Sequence, residues 1–278
     1  DGRVRVDYYP GATLTKPAQT YDSVKLGLAD VGMRFTSYTI GRFPLTEVLD
    51  LPLGYKSAYS ACMMSNAYYE KFKPKAFDDV KLLYLTTVPP HNIFTQKPVR
   101  NLEELKGLKI RATGTTAQII EALGAAPVAM PMSEAYDALA KGVAEGVIGP
   151  FEPMKGFRLA EVVKYAIPID SAWSNTAFIV MNKNTWKRLS KDDQKIIDEI
   201  NQEWIEKQAK LWDELDAEGK ETLLQKGGEI ITLSDSEQAR WTQALRPIID
   251  SYLEKMNKKG LPGEDALKFC TDYLKAHQ

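Results

Sequence analysis

The chain has 278 residues, of which 44% are hydrophobic and 26% are charged, the composition of a globular protein with a full core. The net charge is −1, so no global field recruits nucleic acid or an anionic membrane. A small anionic ligand therefore has to be attracted locally. The most apolar short runs, such as residues 80–88, have the length of strands and not of membrane-spanning helices.

The first 88 residues contain both sequence periodicities. Residues 3–8 alternate polar and apolar side chains, which predicts a strand half exposed to water, and Pro10–Gly11 predicts a turn after it. Ser57 is placed to cap a helix that runs through Tyr68. Further elements are predicted as a helix over residues 19–29, a short strand over 31–35 and a buried strand over 80–88.

Short strands and helices then alternate up to residue 182. Asn101 and Glu104 form a capping-box pattern for a short helix, and Ser133 is placed to cap another. Such alternation indicates parallel or mixed sheets covered by helices. The predicted strands are 108–111, 127–130, 146–149, 165–169 and 176–182, and the predicted helices between them include 115–123 and 151–163.

The last third is dominated by one long helical pattern. It begins at Ser190 with Asp193 and runs toward Gln225. No strict heptad holds, and the charges along it exclude a membrane span, so we expect a spine that packs against both halves of the protein. A strand over 229–232 and two further helices are predicted to follow.

Several segments resemble the solute-binding proteins of TRAP transporters, the DctP-like family. Residues 101–111 read NLEELKGLKIR, and residues 124–139 read GAAPVAMPMSEAYDAL; both are similar to family motifs, as are residues 142–146 and 181–186. The resemblance covers essentially the whole chain. It implies an α/β protein with two lobes, the periplasmic-binding-protein fold of type II-like form, and a long helix that spans both lobes.

The resemblance also implies a division of the chain. Family members normally start about one strand and one helix earlier, and the chain begins at Asp1, so we expect a processed or trimmed product.

The expected parts are a first lobe from residues 1–88, a second lobe from 89–175, a crossover strand and long helix over 176–216 that return to the first lobe, and C-terminal elements over 217–278 that pack mainly on the second lobe.

Arg111 is the main candidate for binding a ligand. It ends a predicted strand just before the helix start at Gly114–Thr115–Thr116, where open α/β sheets place their ligands. A guanidinium offers parallel N–H donors that match the two oxygens of a carboxylate, and it stays charged when desolvated. The resemblance implies that this is the carboxylate-binding arginine of the family.

The other candidates of the predicted second lobe are His91, Gly149, Asn175 and Trp173. At His91 and Gly149 some relatives carry a more polar side chain. His91 stands where some family members carry a second ligand-binding arginine, and an exposed loop histidine is the alternative interpretation. Gly149 stands where sialic-acid-binding relatives have an asparagine. Asn175 matches an asparagine of relatives and is a candidate hydrogen-bonding residue. Trp173 is either a pocket wall or a packing residue.

The remaining candidates are mostly apolar. Phe35 and Tyr38 are the preferred contacts from the first lobe, while Arg34 is either a second cation or a solvated strand residue. Met132 is expected to line the cleft, and Phe151 is either a pocket residue or a buried helix-start side chain. One strong cation with aromatic walls favours a monocarboxylate or 2-oxo acid that has an apolar or aromatic tail. A C4-dicarboxylate or a sugar acid is the alternative.

Other functional classes are disfavoured by the sequence. The chain has two histidines and no nucleophile elbow, phosphate loop, dinucleotide fingerprint or zinc pattern, so we expect no enzyme activity, no cofactor and no metal. Cys62 and Cys270 are interpreted as buried or free thiols, with one long-range disulfide as the alternative. The expected role, which the resemblance implies, is that of a periplasmic receptor: a monomer that does not span the membrane, binds no nucleic acid, captures a small organic acid by hinge closure and delivers it to TRAP permease membrane subunits. A sensor that serves a signalling receptor is the other partner hypothesis.

Overall fold

The computed structural model describes residues 2–278, which form two sheets covered by helices. The strands are β1 (Val31–Phe35), β2 (Lys81–Thr87), β3 (Asn92–Thr95), β4 (Lys109–Arg111), β5 (Ala126–Val128), β6 (Gly146–Gly149), β7 (Tyr165–Ile167), β8 (Thr176–Met181) and β9 (Glu229–Ile230). The helices are α1 (Thr20–Lys25), α2 (Ala58–Phe72), α3 (Leu102–Leu105), α4 (Thr115–Ala122), α5 (Ala135–Ala140), α6 (Glu152–Gly156), α7 (Lys183–Arg188), α8 (Lys191–Gln225), α9 (Asp235–Lys258) and α10 (Gly263–His277). Within residues 2–278, none of these helices combines the length and the apolar character needed to cross a membrane.

The first lobe is built on the three-stranded sheet β1-β8-β2, whose neighbours are antiparallel. Its core joins side chains of this sheet to α1, α2 and the segment Leu45–Asp50. The predicted cap of α2 is confirmed, because the Ser57 hydroxyl accepts a hydrogen bond from Ser60 N at 3.1 Å. The strands predicted over 31–35 and 80–88 are confirmed as β1 and β2.

The second lobe is built on the six-stranded mixed sheet β5-β4-β6-β3-β7-β9. Because β4 is parallel to both β5 and β6, the carboxyl ends of β4 and β6 lie side by side at the same end of the sheet. The predicted cap before α3 is confirmed, because Glu104 N donates to the Asn101 side chain at 2.9 Å. Two α/β lobes are therefore present, as the sequence predicted.

Two crossover segments connect the lobes and are hydrogen-bonded to each other. Val88 N donates to Asn175 O at 3.1 Å, and His91 N donates to Trp173 O at 2.8 Å. Both segments run between a first-lobe strand and a second-lobe strand. A connection of two segments resists bending less than a sheet of three or six strands, so a hinge between the lobes is expected here.

The long helix α8 holds both lobes through two carboxylates that lie one turn apart. Asp213 accepts hydrogen bonds from Ala58 N at 2.7 Å and Tyr59 N at 3.0 Å, at the start of α2 in the first lobe. Asp216 accepts from Phe151 N and Glu152 N at the start of α6 in the second lobe. Each carboxylate satisfies backbone donors that a helix N-terminus leaves free. The expectation of a spine between the lobes is confirmed.

The C-terminal elements differ from the expectation that residues 217–278 pack mainly on the second lobe. β9 does extend the second-lobe sheet beside β7, and the first half of α9 packs on α4. In contrast, α10 packs against α2, and Tyr252, Met256, Cys270 and Leu274 belong to the first-lobe core. The second half of α9 and the apolar face of α10 therefore close the first lobe, and the expectation is wrong for these segments.

Three local predictions are also wrong. Residues 3–8 form no strand, since no neighbouring strand pairs with them, and Val6 and Tyr8 are 80% and 83% exposed. Ser133 does not cap a helix but lies in a short 3-10 turn before α5. The helix predicted over 151–163 ends at Gly156, because Arg158 adopts a left-handed conformation with φ 57°.

Both cysteines are free and buried, which confirms the simpler interpretation of the two thiols. Cys62 Sγ accepts from Thr87 N at 3.1 Å and donates to Thr87 O at 3.1 Å, so it satisfies the outer edge of β2. Burial raises the pKa of Cys62 to about 11 and the pKa of Cys270 to about 12. Both side chains are therefore neutral packing groups.

Gly219 sets the approach of α8 to the second lobe, and its substitution tests this contact. A Cβ at Gly219 would collide with the backbone carbonyl of Phe151. We expect Gly219→Ala to lower the free energy of unfolding by about 1–3 kcal/mol through overpacking, although alanine is the better helix former. Glu214→Ala, on the exposed side of the same helix, is the control and should stay within about 0.5 kcal/mol of wild type in urea denaturation. A more stable Gly219→Ala variant would contradict the contact.

Candidate functional site

The candidate site lies where the two lobes meet, around Arg111 at the end of β4. The side chain of Arg111 is buried, with the residue 4% exposed. Its Nε donates to Met130 O at 2.9 Å, and its Nη2 donates to the Tyr38 hydroxyl at 3.4 Å. Among residues 2–278, Arg111 forms no ion pair with a carboxylate. The guanidinium therefore faces the cleft with unused donor capacity.

The electrostatics of Arg111 favour an anion in the cleft. Burial lowers its pKa, and the contact with the Tyr38 hydroxyl opposes that shift. A guanidinium nevertheless keeps its charge in proteins. A buried cation without a partner costs free energy, and that cost is relieved when an anion of matching geometry binds.

The lobes touch each other directly beside this arginine. Tyr38 belongs to the first lobe, so its contact with Arg111 crosses the cleft. Gly114, with φ 54°, precedes α4, and a Cβ on it would lie 2.8 Å from the backbone oxygen of Ser37. Only a glycine allows this conformation and this close approach. The structure is thus a closed arrangement of the two lobes.

His91 lies at the second-lobe end of the first crossover segment and is 3% exposed. Its burial and the nearby charge of Arg111 lower the pKa of its imidazole to about 3. The ring is therefore neutral near pH 7. The alternative interpretation of an exposed loop histidine is wrong, because the residue is buried.

Several buried polar atoms at the cleft lack a hydrogen-bond partner in the described part of the chain. Most buried polar atoms in proteins are paired, so unpaired ones at a cleft point to groups that a ligand satisfies. Around the candidate site these atoms are Ser37 Oγ, His91 Nδ1, Trp173 Nε1 and Asn175 Oδ1, and Arg34 Nε on β1 is also unpaired.

Part of the predicted apolar wall lies at this cleft. Phe35 and Tyr38 are partly buried and meet edge to face, with ring centroids 6.1 Å apart. Met132 lies against β6, where its Cε is 3.5 Å from the position that a Cβ on Gly149 would occupy. Met132 therefore lies beside the position that a side chain at residue 149 would occupy.

Two other predicted wall residues are core residues of the second lobe. Trp173 is fully buried within the cluster that contains Ile93 and Ile167, with its ring 6.3 Å from that of His91. Phe151 is 6% exposed and meets Phe94 edge to face at 5.1 Å. Both rings therefore pack within the second lobe; because Arg111 is equally buried in this closed arrangement, the role of either ring as a pocket wall stays a prediction.

Three contact groups of the site were not predicted as such from the sequence: the Met130 carbonyl, Ser37 and Gly114, the last of which was predicted only as part of a helix start. The Met130 carbonyl orients Arg111, and Ser37 with Gly114 forms the other contact across the cleft. The Gly114–Thr115–Thr116 helix start was one available signal for Gly114. A backbone carbonyl such as that of Met130 carries no signal in the residue type.

Comparison with known proteins agrees with this architecture. The model of the bacterial extracellular solute-binding protein family 7, DctP, matches residues 1–256. A TRAP periplasmic solute-binding protein from Bordetella bronchiseptica with bound (R)- and (S)-mandelate is 31% identical, with a TM-score of 0.92, over 100% of this chain and 90% of that one.

Two further solved structures are similar over nearly the whole chain. A TRAP solute-binding protein from Rhodoferax ferrireducens, in complex with copurified benzoate, is 28% identical with a TM-score of 0.92, covering 99% of this chain and 88% of that one. A TRAP periplasmic solute-binding protein from Desulfovibrio salexigens is 35% identical with a TM-score of 0.87, covering 100% and 87%.

The family match extends over most of the chain, and these relatives are substrate-binding proteins of transport, not enzymes. TRAP solute-binding proteins are periplasmic. With its two lobes, its spanning helix and its buried arginine between the lobes, the chain belongs to the DctP family of TRAP solute-binding proteins.

Proposed function

We propose that this protein captures a small organic carboxylate by hinge closure and delivers it to a TRAP permease. The observation that carries the proposal is Arg111, a buried cation at the lobe interface that has no acidic partner among residues 2–278. Its Nε is bound to the Met130 carbonyl, and of its terminal nitrogens Nη2 has only the contact with the Tyr38 hydroxyl, so both are available to a ligand. The Tyr38 contact of 3.4 Å is long, so a carboxylate oxygen competes with it favourably.

Closure follows from where these groups lie. Arg111 belongs to the second lobe and Tyr38 to the first, so a ligand that bridges them stabilises the closed state more than the open one. A ligand selects a conformation only through such a difference in affinity. The paired crossover segments supply the hinge, and α8 keeps a fixed contact with both lobes during the motion.

The favoured ligand is a monocarboxylate or 2-oxo acid with an apolar or aromatic tail. Phe35, Tyr38 and Met132 border the site, and His91 contributes a neutral ring where a second cation would suit a dicarboxylate. The unpaired atoms of Ser37 and Asn175 are available to a hydroxyl or keto oxygen. Structural relatives with bound mandelate or benzoate support this choice.

Replacement of Arg111 tests the anchor. Arg111→Ala should weaken the binding of an aromatic carboxylate such as benzoate at least about 100-fold, because a charged hydrogen-bonding partner is lost. Arg111→Lys keeps the charge but loses the planar fork, so it should be intermediate. Arg240→Ala, an exposed arginine of α9 paired with Glu103, is the control. Near-wild-type affinity of Arg111→Ala in calorimetry would refute the anchor.

A ligand screen tests the favoured class. Thermal-shift measurements with benzoate, mandelate, phenyl-substituted 2-oxo acids, C4-dicarboxylates and sugar acids should give the largest stabilisation with the aromatic monocarboxylates, because bound ligand raises the stability of the native state. Stabilisation by C4-dicarboxylates alone would contradict the apolar tail while leaving the carboxylate anchor intact.

His91 predicts a specific dependence of stability on pH. Its folded pKa, about 3, lies below that of an unfolded histidine, so the unfolded state takes up the proton first and stability falls as pH drops below about 6.5. His91→Gln should remove about 2 kcal/mol of that loss between about pH 6.5 and 4.5. The exposed His277→Gln is the control. Identical acid profiles for wild type and His91→Gln in urea denaturation would contradict a neutral buried ring.

A further inference from the structure

A buried carboxyl group lies behind the cleft of the first lobe. Asp50 ends the 3-10 segment Leu45–Asp50 and is 1% exposed. Its Oδ1 accepts from Thr176 N at 2.8 Å, and its Oδ2 lies 3.3 Å from Thr36 Oγ1. In the described part of the chain Asp50 has no salt bridge. A lone buried carboxylate of this kind is unfavourable unless it is neutralised.

Counting protons at Thr36 indicates how it is neutralised. The Thr36 hydroxyl has two oxygen neighbours, Thr176 O at 3.1 Å and Asp50 Oδ2 at 3.3 Å, but only one proton to donate. A backbone carbonyl cannot supply a second proton, whereas a carboxylic acid can. Both contacts are hydrogen bonds if Asp50 donates to Thr36 and Thr36 donates to Thr176 O.

We propose that Asp50 is a positioning residue that works as the neutral acid, linking the cleft segment of the first lobe to the start of β8. Thr36 directly precedes Ser37 and Tyr38, which meet the second lobe, and Thr176 directly follows Asn175 on the crossover. A single proton therefore fixes the segments that carry three candidate ligand contacts.

The surroundings of Asp50 support the neutral form. Burial is the main cause that raises the pKa of this carboxyl to about 7; hydrogen bonds from the backbone and side chain of Thr176 and from Thr36 oppose the shift, and the charge of Glu47 adds a smaller rise. The phenol of Tyr55, which donates to Leu49 O, is the other ionisable group that interacts with it. Both groups are acidic. Lys255, which faces Glu47 at 2.6 Å, is bound to that carboxylate.

The sign of the pH effect follows from these positions. An unfolded aspartic acid ionises near pH 4, so the contribution of Asp50 to stability is fully present below that pH and is lost as pH rises toward about 7. After ionisation the single proton of Thr36 can serve only one of its two oxygen neighbours, Asp50 Oδ2 or Thr176 O, and a negative charge is placed in the lobe that closes on an anion. Ligand affinity should therefore fall as pH rises through the same range and above it.

Asp50→Asn is the decisive variant, because an amide reproduces the neutral acid: its N–H donates to Thr36 and its oxygen accepts from Thr176 N. The matched control is Asp213→Asn, where both carboxylate oxygens accept from backbone N–H groups and an amide must lose one contact. We expect Asp50→Asn to be at least as stable as wild type near pH 8, with a flatter stability profile between about pH 4 and 8. Asp213→Asn should be destabilised.

The binding measurement uses benzoate as the probe and rests on the proposed function, whereas the stability measurement does not. Wild-type affinity should fall about tenfold between about pH 6 and 8.5, and the affinity of Asp50→Asn should be flat. Asp50→Ala, which removes both links, should bind more weakly at every pH. An infrared difference spectrum between wild type and Asp50→Asn near pH 6 should contain the C=O stretch of a protonated acid.

Two results would overturn the proposal. One is a large loss of stability in Asp50→Asn at about pH 6, comparable with that of Asp213→Asn, which would mean that the ionised carboxylate is required. The other is the absence of a protonated-acid band together with identical stability profiles for wild type and Asp50→Asn. If benzoate fails to bind any variant, the proposed ligand class is wrong, and the stability profiles and the infrared spectrum still decide the state of Asp50.

Discussion

The architecture depends on two carboxylates of α8 that hold one helix start in each lobe. Asp213 binds the first turn of α2, and Asp216 binds the first turn of α6, one helical turn further along. Because these two contacts lie one turn apart on one helix, they fix a helix start of each lobe close to the same point. The crossover segments 88–91 and 173–175, which are hydrogen-bonded to each other, are the other connection between the lobes, and together they are the hinge of the proposed closure.

On this frame the protein buries one guanidinium without a counter-charge. The desolvation of Arg111 is unfavourable in the absence of an anion, and the long contact with Tyr38 compensates for it only in part. In the proposed function, a bound carboxylate supplies the missing charge and links Arg111 of the second lobe to Tyr38 of the first. The neutral ring of His91 adds no second positive charge, so Arg111 is the charged member of this pair.

Local sequence patterns predicted most of the elements, because capping residues and periodicity act over a few positions. Asn101 with Glu104 and Ser57 are examples in which the structure has the predicted cap. Patterns failed where the outcome depends on distant partners: residues 3–8 alternate like a strand but have none to pair with, and α10 packs on the first lobe. In the site, residue type did not separate Tyr38 from Trp173. Both are aromatic, yet Tyr38 is hydrogen-bonded to Arg111 across the cleft and Trp173 packs in the core of the second lobe, because chain topology places them in different surroundings. The role of Asp50 depends on a hydroxyl with two oxygen neighbours, which no linear motif encodes.

The most direct test of the account is a crystal structure of the protein with a bound aromatic carboxylate such as benzoate. We expect the carboxylate to lie between the lobes, within hydrogen-bond distance of the terminal nitrogens of Arg111, with the ring toward Phe35 and Met132. A ligand bound elsewhere, while Arg111 contacts only protein groups, would contradict it.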